Sequence, residues 1–241
     1  MDLSGDYYSC ITRLLETVRE RNLGTIRTVA PLIGANMAAG GILHTFGSGH
    51  SAIISQEMVH RAGGLVPISQ IGDPSGGMAE NLPGYGRKLA ERYQALCGMQ
   101  AGEFIIVTSN SGKNASPIDV ALFAKERGLK VLGICSLEVA KNNRSEHPSG
   151  QRLFEVADYA LDNCSVTGDA AIIVPGAPVK AGPTSTFAGA LLLNLLHLEI
   201  ITYFVQNGLP PPLLQSANTP GGKEHNAALA VRFQHRLSHV V

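Results

Sequence analysis

Ile42-Leu43-His44-Thr45-Phe46-Gly47-Ser48-Gly49-His50-Ser51 reads as a short apolar strand that runs into a glycine- and serine-rich turn, with helical character following to about Ala62. The same strand, loop, helix unit recurs downstream. Leu65 to Ser69 reads as a strand, Gly86 to Leu96 as a helix and Phe104 to Thr108 as a strand ending in Ser109-Asn110-Ser111-Gly112; a helix follows from Ile118 to Arg127. Lys130 to Cys135 and Tyr159-Ala160-Leu161 complete about five strands. Continuous apolar strands alternating with helices predict an α/β fold, a three-layer sandwich with a central parallel sheet of five strands, because right-handed crossovers lay helices on both faces.

Working outward, Ile11, Leu14, Leu15 and Val18 recur at helical spacing from Tyr7 to Glu20, and a second helix is expected from about Leu23 to Ala39 with Pro31 as a kink. Phe187 to Val205 is the longest apolar stretch. Asn194, His197 and Glu199 interrupt it, so a buried helix is expected and not a membrane span. Lys141 to Gln151 reads as a mobile surface loop. Pro210-Pro211-Pro212 and Gly221-Gly222 stop any helix between Gly208 and Gly222, and a last amphipathic helix is expected from about Glu224 to His239. With no low-complexity linker or short repeat, the 241 residues are expected to form one domain: a core of about 40–207, a helical extension over 1–39 and a tail and helix over 208–241.

The composition is 44% hydrophobic and 16% charged, which supports a substantial core. Nineteen basic residues balance nineteen acidic ones, so the charge excess that holds nucleic acid or anionic lipid is lacking, and neither is an expected partner. The four cysteines form no C-x-x-C pair, and no signal-peptide pattern opens the chain; free thiols in a cytoplasmic protein are expected.

In open parallel sheets ligands bind beyond the carboxyl ends of the strands. Two such loops here are rich in Gly and Ser, whose amides and hydroxyls suit a phosphate ester without demanding Lys or Arg. Ser109, Asn110 and Ser111 present donors, and Asn114 starts the next helix. Thr184-Ser185-Thr186 places a third cluster of hydroxyls before the long apolar helix, where plain N-capping is the competing reading. No G-K-[ST] follows the glycines, and Gly47-Ser48-Gly49 lacks the third glycine of a dinucleotide fingerprint, which disfavours nucleotides.

Taken together, Phe46-Gly47-Ser48-Gly49-His50-Ser51, Thr108-Ser109-Asn110-Ser111-Gly112-Lys113-Asn114 and Pro183-Thr184-Ser185-Thr186 resemble the SIS (sugar isomerase) family of phosphosugar-binding domains over roughly residues 42–206, a flavodoxin-like fold. The layout, with Gly221 to Asn226 as a Gly-Gly-x-x-His-Asn tail, looks like a phosphoheptose isomerase-like group. The resemblance implies that Ser109, Asn110, Ser111 and Asn114 hold the phosphate, with Ser51 and Ser185 near the sugar hydroxyls; Ser48, Gly49, His50, Thr184 and Thr186 are further expected substrate-binding residues. Where phosphoheptose isomerases carry a metal-binding His and a Glu, this chain has Glu57 and Arg61; where glucosamine-phosphate synthases carry a Lys and a catalytic Glu, it has Arg61 and Gly64.

Aldose–ketose isomerisation needs a base beside a carbonyl and an acid for its oxygen. Glu57, seven residues after His50, can share its helix face and is the expected base; an i,i+4 pair with Arg61 is the alternative. His225, reached through Gly221-Gly222, is the expected ring-opening group, on a tail that can close a neighbouring subunit's pocket; a solvent-facing helix start is the alternative. His60 and His197 are further candidates, although a His on an apolar helix is commonly a satisfied core residue. No zinc-type spacing occurs, and no metal or cofactor is expected. The sequence therefore points to a sugar-phosphate isomerase working through an enediol, with a non-catalytic sensor or an amino-sugar phosphate lyase as alternatives. Apolar helix faces predict at least a dimer, or a tetramer, with the site near the subunit contact.

Overall fold

The computed structural model describes residues 1–233 and 235–239. Helix α1 (Leu3–Ala38) leads into β1 (Leu43–Gly47), α2 (Ser51–Gln56), β2 (Ile68–Ile71), α3 (Tyr85–Cys97), β3 (Phe104–Thr108), α4 (Ala115–Glu126) and β4 (Lys130–Cys135). Short helices α5 (Leu137–Asn142) and α6 (Leu153–Val156) precede β5 (Tyr159–Asp162). A hairpin of β6 (Ala170–Ile172) and β7 (Ala181–Pro183) then leads to α7 (Ser185–Gln206) and α8 (Gly222–Ala230).

The five main strands form one parallel sheet in the order β2-β1-β3-β4-β5. Alternate residues divide between two cores. Leu43, Phe104, Ile106, Leu132 and Ile134 face α1 and α7, while Ile105, Val107 and Val131 face α3 and α4. This is the expected three-layer arrangement. The order reverses between β1 and β3, and in sheets of this order the crevice beyond those two carboxyl ends is the ligand position.

The N-terminal region is one continuous helix of 36 residues, not two. The break expected near Asn22 is absent because that side chain is a bracket: Nδ2 donates to Val18 O and to Asp162 O at 2.8 Å, and Oδ1 accepts from Asp162 N at 2.7 Å. Pro31 lies inside the helix, where packing of Ile26, Val29, Ile33 and Met37 with Leu192, Leu196 and Ile200 of α7 carries it through. Helix α7 has the length and apolarity to cross a membrane, yet 44% of its most apolar window is buried within this fold. It serves here as a core helix.

Three boundaries also differ from expectation. Helix α2 ends at Gln56 and the chain turns, with His60 at a left-handed φ of 48°. Strand β2 lies later than predicted, since Leu65 instead bridges Leu213. The last helix stops at Ala230; the chain then turns, and residue 234 of the expected helix lies outside the described residues. The loop after α5 is tied down: Lys113 pairs with Glu146 at 2.5 Å, and His147 Nε2 lies 3.2 Å from Asp119 Oδ1.

Candidate functional site

The carboxyl ends of β1 and β3 open into a hollow of about 640 Å³. Of the residues singled out in the sequence, Ser48, Gly49, His50, Ser51, Ser109, Asn110, Ser111, Asn114 and Ser185 line it. Separate strand-to-helix loops thus meet at one space, at the topological switch point.

A further wall is the loop over residues 72–84. Gly77, at φ +93°, packs so closely that a Cβ there would stand 2.7 Å from Gly49 Cα, so position 77 must lack a side chain for the loops to touch. Asp73 fastens the contact: Oδ2 accepts from Ser48 Oγ at 2.6 Å, and Oδ1 accepts from the Ser75 amide and hydroxyl and from Tyr85 Oη. Burial opposes ionisation of Asp73, but these hydrogen bonds outweigh it and hold its carboxyl below the usual range.

Glu80, on the same loop, lines the hollow and is partly buried. Its Oε1 accepts from Asn114 Nδ2 at 2.7 Å, its backbone carbonyl accepts from the Ser116 amide at 2.8 Å, and Ser111 Oγ donates to Asn114 Oδ1 at 2.5 Å. Burial, reinforced by the negative charges of Asp73 and Glu146, pushes the Glu80 carboxyl above the ordinary glutamate range; Lys113 opposes this. The amides of Ser111 and Lys113 make no backbone hydrogen bond among the described residues and remain available to an anion. The loop over 109–114 therefore offers neutral donors beside one carboxylate of raised proton affinity.

The third hydroxyl cluster is already occupied. Asp169 Oδ1 accepts from the Thr184 amide at 2.9 Å, the Thr184 hydroxyl at 2.8 Å and the Ser185 amide at 2.8 Å, while Oδ2 accepts from Ser185 Oγ at 2.6 Å. A carboxylate thus fills the positive end of α7. Ser185 and Asp169 reach the hollow, whereas Thr184 is buried and neither it nor Thr186 lines it.

The remaining candidates stand elsewhere in the chain. Glu57 accepts from Arg61 and from Asn194 Nδ2, outside the hollow. His197 is buried with Nε2 3.0 Å from Gly63 O, His60 stacks on His239, and His225 Nε2 lies 2.9 Å from Leu213 O. Among the described residues no three His, Cys, Asp or Glu side chains are grouped as metal ligands. Sequence reasoning missed Asp73, Gly77, Glu80, Lys113 and Asp169. The usable signal was Gly72-Asp73-Pro74-Ser75-Gly76-Gly77, a turn-rich stretch directly after a parallel strand and subject to the same carboxyl-end rule.

A family model described as SIS domain matches residues 6–136. The chain belongs to the SIS-domain family. Among its relatives, UPF0309 protein lmo0025 of Listeria monocytogenes is 36% identical over 234 residues, covering 97% of this chain and 98% of that one. UPF0309 protein BH0227 of Halalkalibacterium halodurans is 35% identical over 236 residues, covering 96% and 94%. The SIS fold is also seen in a phosphoheptose isomerase from Francisella tularensis, with TM-score 0.56, 15% identity and coverage of 83% of this chain and 95% of that one. The Vibrio vulnificus NanR protein complexed with ManNAc-6P gives TM-score 0.53 at 14% identity, covering 99% and 71%. At such identities the solved structures speak for the fold.

Proposed function

We propose that this SIS-domain protein binds a sugar phosphate in the hollow between β1 and β3 and interconverts its aldose and ketose forms through an enediol. The reading rests on one observation: the loop over 109–114 presents neutral donors to the same hollow in which Glu80, hydrogen-bonded to that loop, has a raised proton affinity. The phosphate takes the Ser111 and Lys113 amides together with the Ser109 hydroxyl, and the Ser111 hydroxyl turns to it from Asn114 Oδ1. Glu80 removes the proton beside the carbonyl and returns it to the neighbouring carbon, and a pKa shifted toward neutrality suits both directions of transfer. This role passes from Glu57 to Glu80 because Glu57 is held by Arg61 and Asn194 outside the hollow.

His50 lines the hollow and supplies an imidazole for ring opening within one chain. His225, exposed on α8, fits that role only where a second copy presents it. Leu32 on α1 and Leu198 and Val205 on α7 are exposed apolar residues, which supports self-association, and four free thiols agree with a reducing cytoplasm.

The test is incubation with a panel of aldose and ketose phosphates in deuterated water. Carbon-bound deuterium in the product, lost in Glu80→Gln with binding retained, is the expected result. Binding without exchange favours a sensor, and release of an ether substituent favours a lyase.

A further inference from the structure

A second cavity, of about 560 Å³, lies beyond the carboxyl end of the edge strand β2, between α3 and the segment carrying Leu237 and Ser238. Ile71, Leu89 and Leu237 form buried apolar walls, and Leu96 extends the apolar surface to the rim at 69% exposure. Arg92 also lines the cavity, and no hydrogen bond or ion pair engages it among the described residues. Its neighbours on α3 are engaged, since Arg87 pairs with Glu91 and Glu126 and Lys88 with Glu91. The carboxylate in the wall, Asp73, is saturated by Ser48, Ser75 and Tyr85 and has no contact with Arg92.

We propose that this cavity is a binding site for a small apolar organic anion, whose hydrocarbon body lies against Ile71, Leu89, Leu96 and Leu237 and whose carboxylate pairs with Arg92. The volume is that of a small-molecule pocket, and apolar walls with Arg92 as the unpaired charge, Asp73 being satisfied by its own donors, fix both the class of ligand and its orientation. A guanidinium suits a carboxylate because two parallel N–H groups match its two oxygens. The cavity shares none of the 109–114 phosphate-loop residues, so this site stands independently of the sugar-phosphate reading.

Octanoate, octan-1-ol and octylammonium, titrated calorimetrically into the full chain, are the probes. Octanoate is expected to bind one to one, at least tenfold tighter than the alcohol, with no uptake of the ammonium ion. Arg92→Gln, at an exposed position, is expected to weaken octanoate at least tenfold while leaving thermal stability and inorganic phosphate binding unchanged, and Leu96→Ser is expected to weaken octanoate and octan-1-ol together. Equal binding of acid and alcohol, octanoate binding indifferent to Arg92→Gln, or no octanoate binding overturns the proposal. So does dissociation of an oligomer by Leu96→Glu when the original chain takes up no octanoate, because a second copy then covers the cavity.

Discussion

Asn114 Nδ2 donates to Glu80 Oε1 at 2.7 Å, joining the residue that opens α4 to a carboxylate reached from a different strand. In the proposed reaction this bond couples substrate binding to proton transfer, because displacing one side chain disturbs the other. Glu80→Gln keeps an acceptor for Asn114 and removes the proposed base. It is expected to lower kcat by about 10²- to 10⁴-fold, the usual weight of general-base catalysis, with little change in sugar-phosphate affinity measured by calorimetry.

The pH profile follows from the sign of the shift. The Glu80 carboxyl is raised, so its basic form is lost at a higher pH than for an ordinary glutamate as acid is added. The acidic limb of log kcat/KM is therefore expected above the usual glutamate range. Asp73→Asn removes one of the repelling charges and is expected to move that limb to lower pH, as rate measurements across pH would show.

Ser111 and Asn114 shape the phosphate loop with neutral groups. Ser111→Ala removes a donor and frees Asn114 Oδ1. Hydrogen bonds to charged groups contribute about 1.5–3 kcal/mol, so sugar-phosphate affinity is expected to fall by about one to two orders of magnitude. Unaltered binding in a thermal-shift titration would place the phosphate elsewhere.

Acid stability is expected to depend on Glu103, which is 1% exposed. Burial raises its pKa, but His44, Arg236 and the amides of Gln100 and Ile42 outweigh this and bring it down to about 2. The native pKa is depressed relative to the unfolded value, so the contribution is fully present above about pH 4.5 and is lost as pH falls through about 2. The shift corresponds to about 3 kcal/mol. Arg236→Ala, which leaves this carboxylate without its guanidinium, is expected to destabilise the fold by about 3 kcal/mol in urea unfolding at pH 7. Glu103→Gln is expected to flatten stability between pH 4.5 and 2.

The layers and the two glycine-serine loops were legible because strand and helix periodicities are local, and the carboxyl-end rule then locates the ligand space. What escaped depends on distant partners. The apolar periodicity lapses between Glu20 and Leu23, where Asn22 finds its partners only in the distant Asp162, and Thr184 and Ser185 read as free donors until Asp169 is folded back on them. Glu57 lies at a spacing from Arg61 that allows a local pair, and that pair forms. Glu80 sits in a turn-rich stretch with no periodicity, and long-range contacts, the approach of Gly77 to Gly49 and the Asp73–Ser48 and Glu80–Asn114 bonds, bring that stretch to the site.

The Glu103 network also bears on the order of assembly. His44 and Glu103 leave the ribosome well before Arg236, which lies 133 residues beyond Glu103 in the chain and whose Nη1 stands 2.7 Å from Glu103 Oε1. Until Arg236 follows, the β1–β3 pairing encloses a negative charge that lacks its cation, so this part of the sheet is held less firmly in the partly made chain. A chain stalled shortly before Arg236 would open more readily at that end of the sheet, which favours capture by chaperones and proteases.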